Sequence, residues 1–224
     1  EGTTGRQRVP KSVIEKHPVP LPPLPEQRRI AAVLNAIQDA IAAQEDVIAA
    51  ARQFKRSLMQ RLFTYGPGRT LAETKETEIG EIPAHWKVVK LGHVASISTG
   101  TTPSTAKPEY YAGTNAYIKT TNISNGRISG SDDFVSDEAL SDYGLKVYPP
   151  GTILMAMYGQ GKTRGQVSIC DISVSTTQNA AAIIVDDAFI PDCLWQYLLS
   201  QYHRLRSAGI EGHISHLNLG YVKE

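Results

Sequence analysis

Ala156, Gly161, Lys162 and Thr163 have the spacing of a permissive phosphate-binding loop, in which backbone amides cradle a nucleotide and the lysine reaches its phosphates. Such a loop needs a helix directly behind it, whose first amides hold the anion. The next residues, Arg164, Gly165, Gln166, Val167, Ser168 and Ile169, read as a strand. A phosphate-loop NTPase centred on Lys162 therefore remains only as an alternative. The same Gly-rich basic turn suits a plain surface hairpin. It also suits a loop that approaches a nucleic-acid backbone closely, with Lys162 and Arg164 near phosphates and Tyr158 and Gln160 presented to bases.

Other chemistries find little support. The two Pro-Pro pairs, Pro22-Pro23 and Pro149-Pro150, lack the Asn or Asp that amino-methylating enzymes place before them, and no glycine-rich cofactor turn is evident. Asp132, Asp133, Asp137, Glu138 and Asp142 cluster as carboxylate ligands do, but in so polar a stretch they read as solvated or mutually repelling charges. His213 and His216 are three apart without a third ligand nearby, and Cys170 and Cys193 lack metal-ligand spacing. No catalytic centre, metal site or resident cofactor is expected.

Reading base edges needs paired donors and acceptors presented from rigid turns. Three segments supply them: residues 99–104 with Thr99, Thr101, Thr102 and Ser104; residues 119–122 with Lys119, Thr120, Thr121 and Asn122; and residues 176–179 with Gln178 and Asn179. Lys107, His213, Ser215 and His216 join them as candidates.

The elements that must position these groups differ along the chain. Residues 17–25 are proline-rich and extended. Residues 26–64 contain no Pro or Gly and open with the acidic Glu26, so a helix is expected there. Ile30, Leu34, Ile37, Ile41, Ile48, Ala51, Leu58 and Leu62 recur on a heptad-like seam, on which Gln44 and Lys55 also fall. At ~1.5 Å per residue the helix would run close to 60 Å. The stripe is expected to be buried, either by a second helix or by the helix's own domain. Arg52, Lys55, Arg56 and Arg61 give its end a basic character, which suits a solvated face, DNA phosphates or an acidic patch on a partner. Tyr65, Gly66, Pro67 and Gly68 end the helix, and the charged stretch to Pro83 reads as a linker.

Beyond it the composition turns to Thr, Ser, Gly, Tyr, Val and Ile. Strands are expected at residues 87–91, 116–119, 152–157, 166–169 and 181–185, and a helix at 192–207. The fold class is α+β: a mostly β domain with a mixed or antiparallel sheet, plus one long coiled-coil-type helix. A weak internal match pairs Val13, Ile14, Glu15 and Lys16 with Tyr221, Val222, Lys223 and Glu224, as in one period of a longer repeat. A first residue that is not methionine points to processing or to a fragment.

The net charge of +1 shows no bulk excess for a polyanion, so any nucleic-acid face must arise from local charge segregation. There is no signal segment and no apolar run of membrane-spanning length, and a reducing, cytoplasmic setting is expected.

Pro20, Leu21, Pro22, Pro23, Leu24, Pro25, Glu26 and Gln27, followed by Arg28, Arg29, Ile30, Ala31 and the long helix, form the most specific motif. It resembles the conserved region of the DNA-specificity subunits of type I restriction-modification systems, where Pro-Leu-Pro-Glu-Gln leads into a spacer helix. Ile82, Pro83 and Trp86, then Leu91, Gly92 and residues 97–103, then Tyr111, Gly113, Tyr117 and Ile118, look like the opening of that family's target-recognition domain. Residues 151–154, 177–179 and 216–219 are similar to its later landmarks.

The resemblance implies three parts. Residues 1–25 are the end of a preceding recognition domain and a proline-rich lead-in, 26–68 the spacer helix, and 69–224 a nearly complete second recognition domain. It implies a non-catalytic reader of one half of a bipartite double-stranded DNA target that docks on methyltransferase subunits and, through the complex, on restriction and translocase subunits. S-adenosylmethionine and ATP would belong to those partners. A second spacer helix is missing from this pattern, so two copies are expected to pair their helices antiparallel. A coiled-coil adaptor that binds no DNA is the remaining alternative.

Overall fold

The computed structural model describes residues 9–68, 70, 72–159, 162–207, 217 and 219–223. The chain divides into two compact units, Glu1–Phe54 and Lys55–Glu224. In the first, helix α1 (Lys11–Glu15) is braced by an ion pair between its end residues, 3.2 Å apart. The proline-rich stretch comes next, and helix α2 (Leu24–Tyr65) begins two residues before the expected start. Pro25 is tolerated inside its first turn because the amide it lacks would have had no intrahelical partner.

Of the two covers expected for the stripe, the helix's own domain does not supply one along most of its length. Ile30, Leu34, Ile37, Ile41 and Ile48 are 47–59% exposed, and Ala51 is exposed too; only Leu58 and Leu62, in the second unit, are half-buried. A narrow heptad seam is shaped for another long helix. The other described helices have five to ten residues, too short to cover it.

The second unit starts with the last turns of α2. Phe63 meets Tyr197 edge-on at 5.3 Å, and Gly66, at φ +77°, caps the helix by donating its amide to Leu62 O at 2.9 Å. The expected linker contains a hairpin instead, β1 (Thr74–Thr77) with β2 (Gly80–Pro83). Thr77 Oγ1 closes its turn by donating to Gly80 O and accepting from the Ile79 amide. Lys75 Nζ donates to Ala84 O and Trp86 O. The charged residues of this stretch had hidden a ribbon whose outer positions are exposed and whose Ile82 and Pro83 are buried.

Next come β3 (Ala95–Thr99), β4 (Asn115–Ile118), β5 (Arg127–Ile128), β6 (Phe134–Val135), helix α3 (Asp137–Tyr143), β7 (Ile153–Ala156), β8 (Val167–Cys170), β9 (Ser175–Thr176) and β10 (Ala180–Val185). Helices α4 (Pro191–Ser200), α5 (Tyr202–Ser207) and α6 (Leu219–Lys223) complete the unit. The larger sheet has the order β3-β10-β7-β8-β5, antiparallel except for β5 on β8; the smaller is β6-β4-β9, with β4 and β9 parallel. The architecture is α+β.

Strand alternation explains the core. Ile153 and Met155, Val167 and Ile169, and Ala181 and Ile183 join Leu194, Trp195, Leu198, Leu217 and Val222 in one cluster. Their neighbours Leu154, Ala156, Cys170, Ala180 and Ala182 enter a second with Ile118, Ile123, Tyr148 and Val174. Covered on both faces, the central strands read as continuous apolar runs.

Two further expectations need correction. Residues 87–91 form no strand: Val88 and Val89 are exposed on an unpaired extended stretch that leads into a 3-10 turn, Leu91–His93. The helix expected at 192–207 breaks at Gln201 into α4 and α5, where α5 turns to meet the Gly-rich loop. Of the internal match, residues 13–15 lie in α1, with Val13 and Ile14 exposed, whereas residues 221–223 lie in α6, with Val222 buried. No described helix is long and apolar enough to cross a membrane.

Candidate functional site

Register brings the polar segments together. On β10, Ala181 pairs with Thr99 and Ala180 with Ala156, so the ends of β3 and β7 meet the start of β10. Met157 N donates to Asn179 O at 3.0 Å, carrying that neighbourhood into the loop after β7. In the smaller sheet Ile118 pairs with Thr176, whose Oγ1 donates to Ile118 O at 2.8 Å. The segments after β3, β4, β7 and β9 thus leave from one edge.

Gly100 seats the first segment. A Cβ placed there would lie 1.6 Å from Thr176 O, an impossible approach, so this backbone lies flush on β9. Thr102 Oγ1 donates to Gln178 Oε1, linking the first and last segments through their exposed side chains. Thr99 and Thr101 are half-buried, whereas Ser104 and Lys107 are exposed.

The 119–122 segment is a 3-10 turn closed on itself: Asn122 Oδ1 accepts from Lys119 N at 3.0 Å, while Lys119 Nζ pairs with Asp133 at 2.6 Å. Thr121 is exposed and Thr120 half-buried. Lys107 Nζ donates to Tyr110 Oη at 2.9 Å and sits 4.7 Å from its ring centre, while Tyr110 donates to Asp142 at 2.6 Å. The hydrogen bond to Tyr110 is the main reason that the ammonium titrates above its ordinary range.

The carboxylates expected to be solvated are therefore partly engaged. Asp133 binds Lys119, Asp142 binds Tyr110, and Asp137 accepts from Asn115 at 2.8 Å. Among the described residues no three His, Cys, Asp or Glu gather as metal ligands.

Beyond the exposed Tyr158, the basic loop is braced by α5. Tyr202 Oη donates to Lys162 O at 2.6 Å and Arg164 Nη2 to Arg206 O at 3.0 Å. The Lys162 side chain stays exposed and Arg164 is half-buried. A turn and then β8 come after Lys162, in place of the helix that a phosphate loop requires. Gln160, His213, Ser215 and His216 lie outside the described residues.

Sequence reasoning missed the tyrosines behind this edge. Tyr111, Tyr117, Tyr143 and Tyr148 all touch residues 98–104 through their hydroxyls. Burial is the main cause that raises the phenol pKa of Tyr111, Tyr117 and Tyr148, so these groups remain neutral donors. The sequence marked Tyr111 and Tyr117 only through their likeness to family landmarks, and carried no sign of the contacts that all four hydroxyls make.

Three comparisons bear on this arrangement. The family described as the type I restriction modification DNA specificity domain matches residues 1–51 and 83–224. Two similar proteins of Methanocaldococcus jannaschii are named the type I restriction enzyme MjaVIII and MjaIX specificity subunits. The first is 32% identical over 155 residues, 69% of this chain and 36% of that protein; the second is 31% identical over 126 residues, 55% and 28%.

Among solved structures, the HsdS subunit from Thermoanaerobacter tengcongensis gives a TM-score of 0.53 at 20% identity, covering 100% of this chain and 51% of that one. The type I restriction-modification S subunit from M. genitalium gives 0.58 at 14% identity, covering 90% and 48%. The chain thus spans 36% or less of these curated relatives and about half of the solved chains. The solved structures share its fold. With the family pattern matched before residue 52 and again from residue 83 to the end, the chain belongs to the type I restriction modification DNA specificity domain family.

Proposed function

We propose that this chain is a non-catalytic DNA reader within a type I restriction-modification complex, working on double-stranded DNA in the cytoplasm. In this reading residues 69–224 recognise one half of a bipartite target, residues 26–68 hold a fixed distance to the other half, and residues 1–25 are the end of a preceding recognition domain with its proline-rich lead-in. The observation that carries it is the gathering of the segments after β3, β4, β7 and β9 at one edge of the sheets.

Hydroxyl and amide groups of Thr99, Thr101, Thr102, Ser104, Thr120, Thr121, Asn122, Gln178 and Asn179 supply base-edge donors and acceptors. Lys107, Lys119, Lys162 and Arg164 set register on phosphates, with Tyr158, Gln160, His213, Ser215 and His216 as further contacts. Methylation with S-adenosylmethionine and ATP-driven translocation and cleavage belong to partner subunits on which the chain docks.

The exposed seam of α2 pairs with the same seam of a second copy, antiparallel, and residues 1–16 of one copy complete the recognition domain of the other. Light scattering at micromolar concentration is expected to give a dimer, and a strict monomer overturns the pairing. Titration of fluorescent duplex DNA tests the main reading. Affinity is expected to fall linearly with salt on logarithmic axes as phosphate counterions are released. Absence of binding at low salt, alone and with a co-purifying methyltransferase subunit, overturns it.

A further inference from the structure

Four tyrosines converge on one short stretch of backbone. Tyr148 Oη donates to Thr99 O at 3.0 Å, Tyr117 Oη to Thr101 O at 2.9 Å and Tyr111 Oη to Pro103 O at 2.7 Å, while Tyr143 Oη accepts from Ser104 N at 3.1 Å. Three carbonyls and one amide within six residues are tied to phenols. The rings also brace one another: Tyr111 and Tyr117 lie edge-on at 6.3 Å, and Tyr143 packs edge-on against Tyr110 at 5.5 Å. A buried ring with two rotatable bonds loses little entropy in holding its hydroxyl still, so this stretch is fixed before any ligand arrives.

The clamps converge on one exposed pair. Tyr117 Oη also lies 3.2 Å from Thr102 Oγ1, which in turn donates to Gln178 Oε1. Thr102 occupies one lone pair of that oxygen, while Gln178 Nε2 makes no hydrogen bond to another described residue. One planar group is left with two N–H donors beside an acceptor lone pair. Adenine N7 and N6 present the complement in the major groove, whereas guanine offers two acceptors there and cytosine a donor alone.

We infer that Gln178, oriented by Thr102, reads an adenine in the half-site, and that Tyr117 is a positioning residue for this pair while Tyr111, Tyr143 and Tyr148 hold the loop beneath it. The inference rests on the DNA-reading function proposed above and names a base contact within it.

Selection of bound sequences from a random duplex pool tests it, with the full chain and its Gln178→Ala, Gln178→Glu, Thr102→Val and Tyr117→Phe variants, each checked by thermal melting. The unaltered chain is expected to select adenine at one position that Gln178→Ala loses while other positions keep their preference. Affinity for the selected site falls roughly 5- to 150-fold. Gln178→Glu, which keeps the size but removes the donors, loses the same adenine. Thr102→Val and Tyr117→Phe weaken preference at that position alone and leave the salt dependence of binding unchanged, which a general loss of structure would not do.

A bound pool unchanged by both Gln178 variants, or one that loses every position alike, overturns the inference while leaving DNA reading intact. A full chain that binds no duplex overturns the proposed function, and the inference with it.

Discussion

Arg127 holds Asp171 side-on, with Nε at 2.9 Å from Oδ1 and 3.1 Å from Oδ2 and Nη2 at 2.6 Å from Oδ1. Its remaining nitrogen, Nη1, reaches Asp192 in the first turn of α4 at 2.6 Å, and the guanidinium lies 5.7 Å from the centre of the Trp195 ring. One side chain thus joins β5, the residue after β8 and α4. The fork geometry, which lysine lacks, suits this task. Because the Arg127 and Asp171 side chains are 48% and 32% exposed, water screens the pair. Arg127→Ala is expected to lower the thermal midpoint slightly, with Arg127→Lys recovering only part of the loss in calorimetry.

The same contact makes a pH prediction. Hydrogen bonding to Arg127 is the leading cause that holds the Asp171 carboxyl below its ordinary value of 3.8. A carboxylate depressed in the folded state contributes stability that is present above its unfolded value and lost as pH falls through the folded one. Urea midpoints of the unaltered chain and of Asp171→Asn should therefore differ at neutral pH and converge as pH drops below about 4. A constant difference down to pH 2 contradicts the assignment.

Gly100 is the position least able to accept a side chain. Its Cβ would collide with the backbone of Thr176, which is held in β9. Gly100→Ala is expected to cost about 1–3 kcal/mol by lifting the 99–104 segment off the strand. Sequence discrimination in DNA binding should fall with it, even at temperatures where circular dichroism still shows a folded chain.

Cysteine reactivity offers a check on the core. Burial pushes the Cys170 thiol up to about 12, whereas Cys193 is exposed. The thiolate is the reactive form. One thiol per chain should react with a chromogenic disulfide at pH 8 in the native protein and two after denaturation. Two fast-reacting native thiols would mean that β8 is not seated as described.

The helix seam is tested by substitutions that should leave the second unit alone. Ile37→Asp with Ile41→Asp lies on an exposed face and is expected to abolish pairing of two copies in light scattering, while cooperative unfolding of the sheet domain keeps its midpoint. Ile183→Ala, by contrast, opens the centre of β10 and should cost about 2–5 kcal/mol.

The amino-acid sequence by itself determined the long helix, its glycine stop, the central strands and the family. Each rests on a local signal: a proline-free heptad run, a Gly at a positive-φ cap, or an apolar stretch bounded by turns. It also picked out Thr102 and Gln178 separately by their chemistry. Only the tertiary structure decided that they touch, because residues 76 positions apart meet through the register of β3, β10, β4 and β9.

The tyrosine clamps and the Arg127 network were invisible for the same reason, since a side-chain hydrogen bond to a distant carbonyl leaves no periodicity in the chain. The hairpin at Thr74–Thr77 and Gly80–Pro83 was misread because side-chain charge says little about backbone pairing. The seam of α2 shows the opposite limit. Periodicity announced a buried face, but what covers such a face depends on a neighbour, and a one-dimensional pattern carries no record of the neighbour's position.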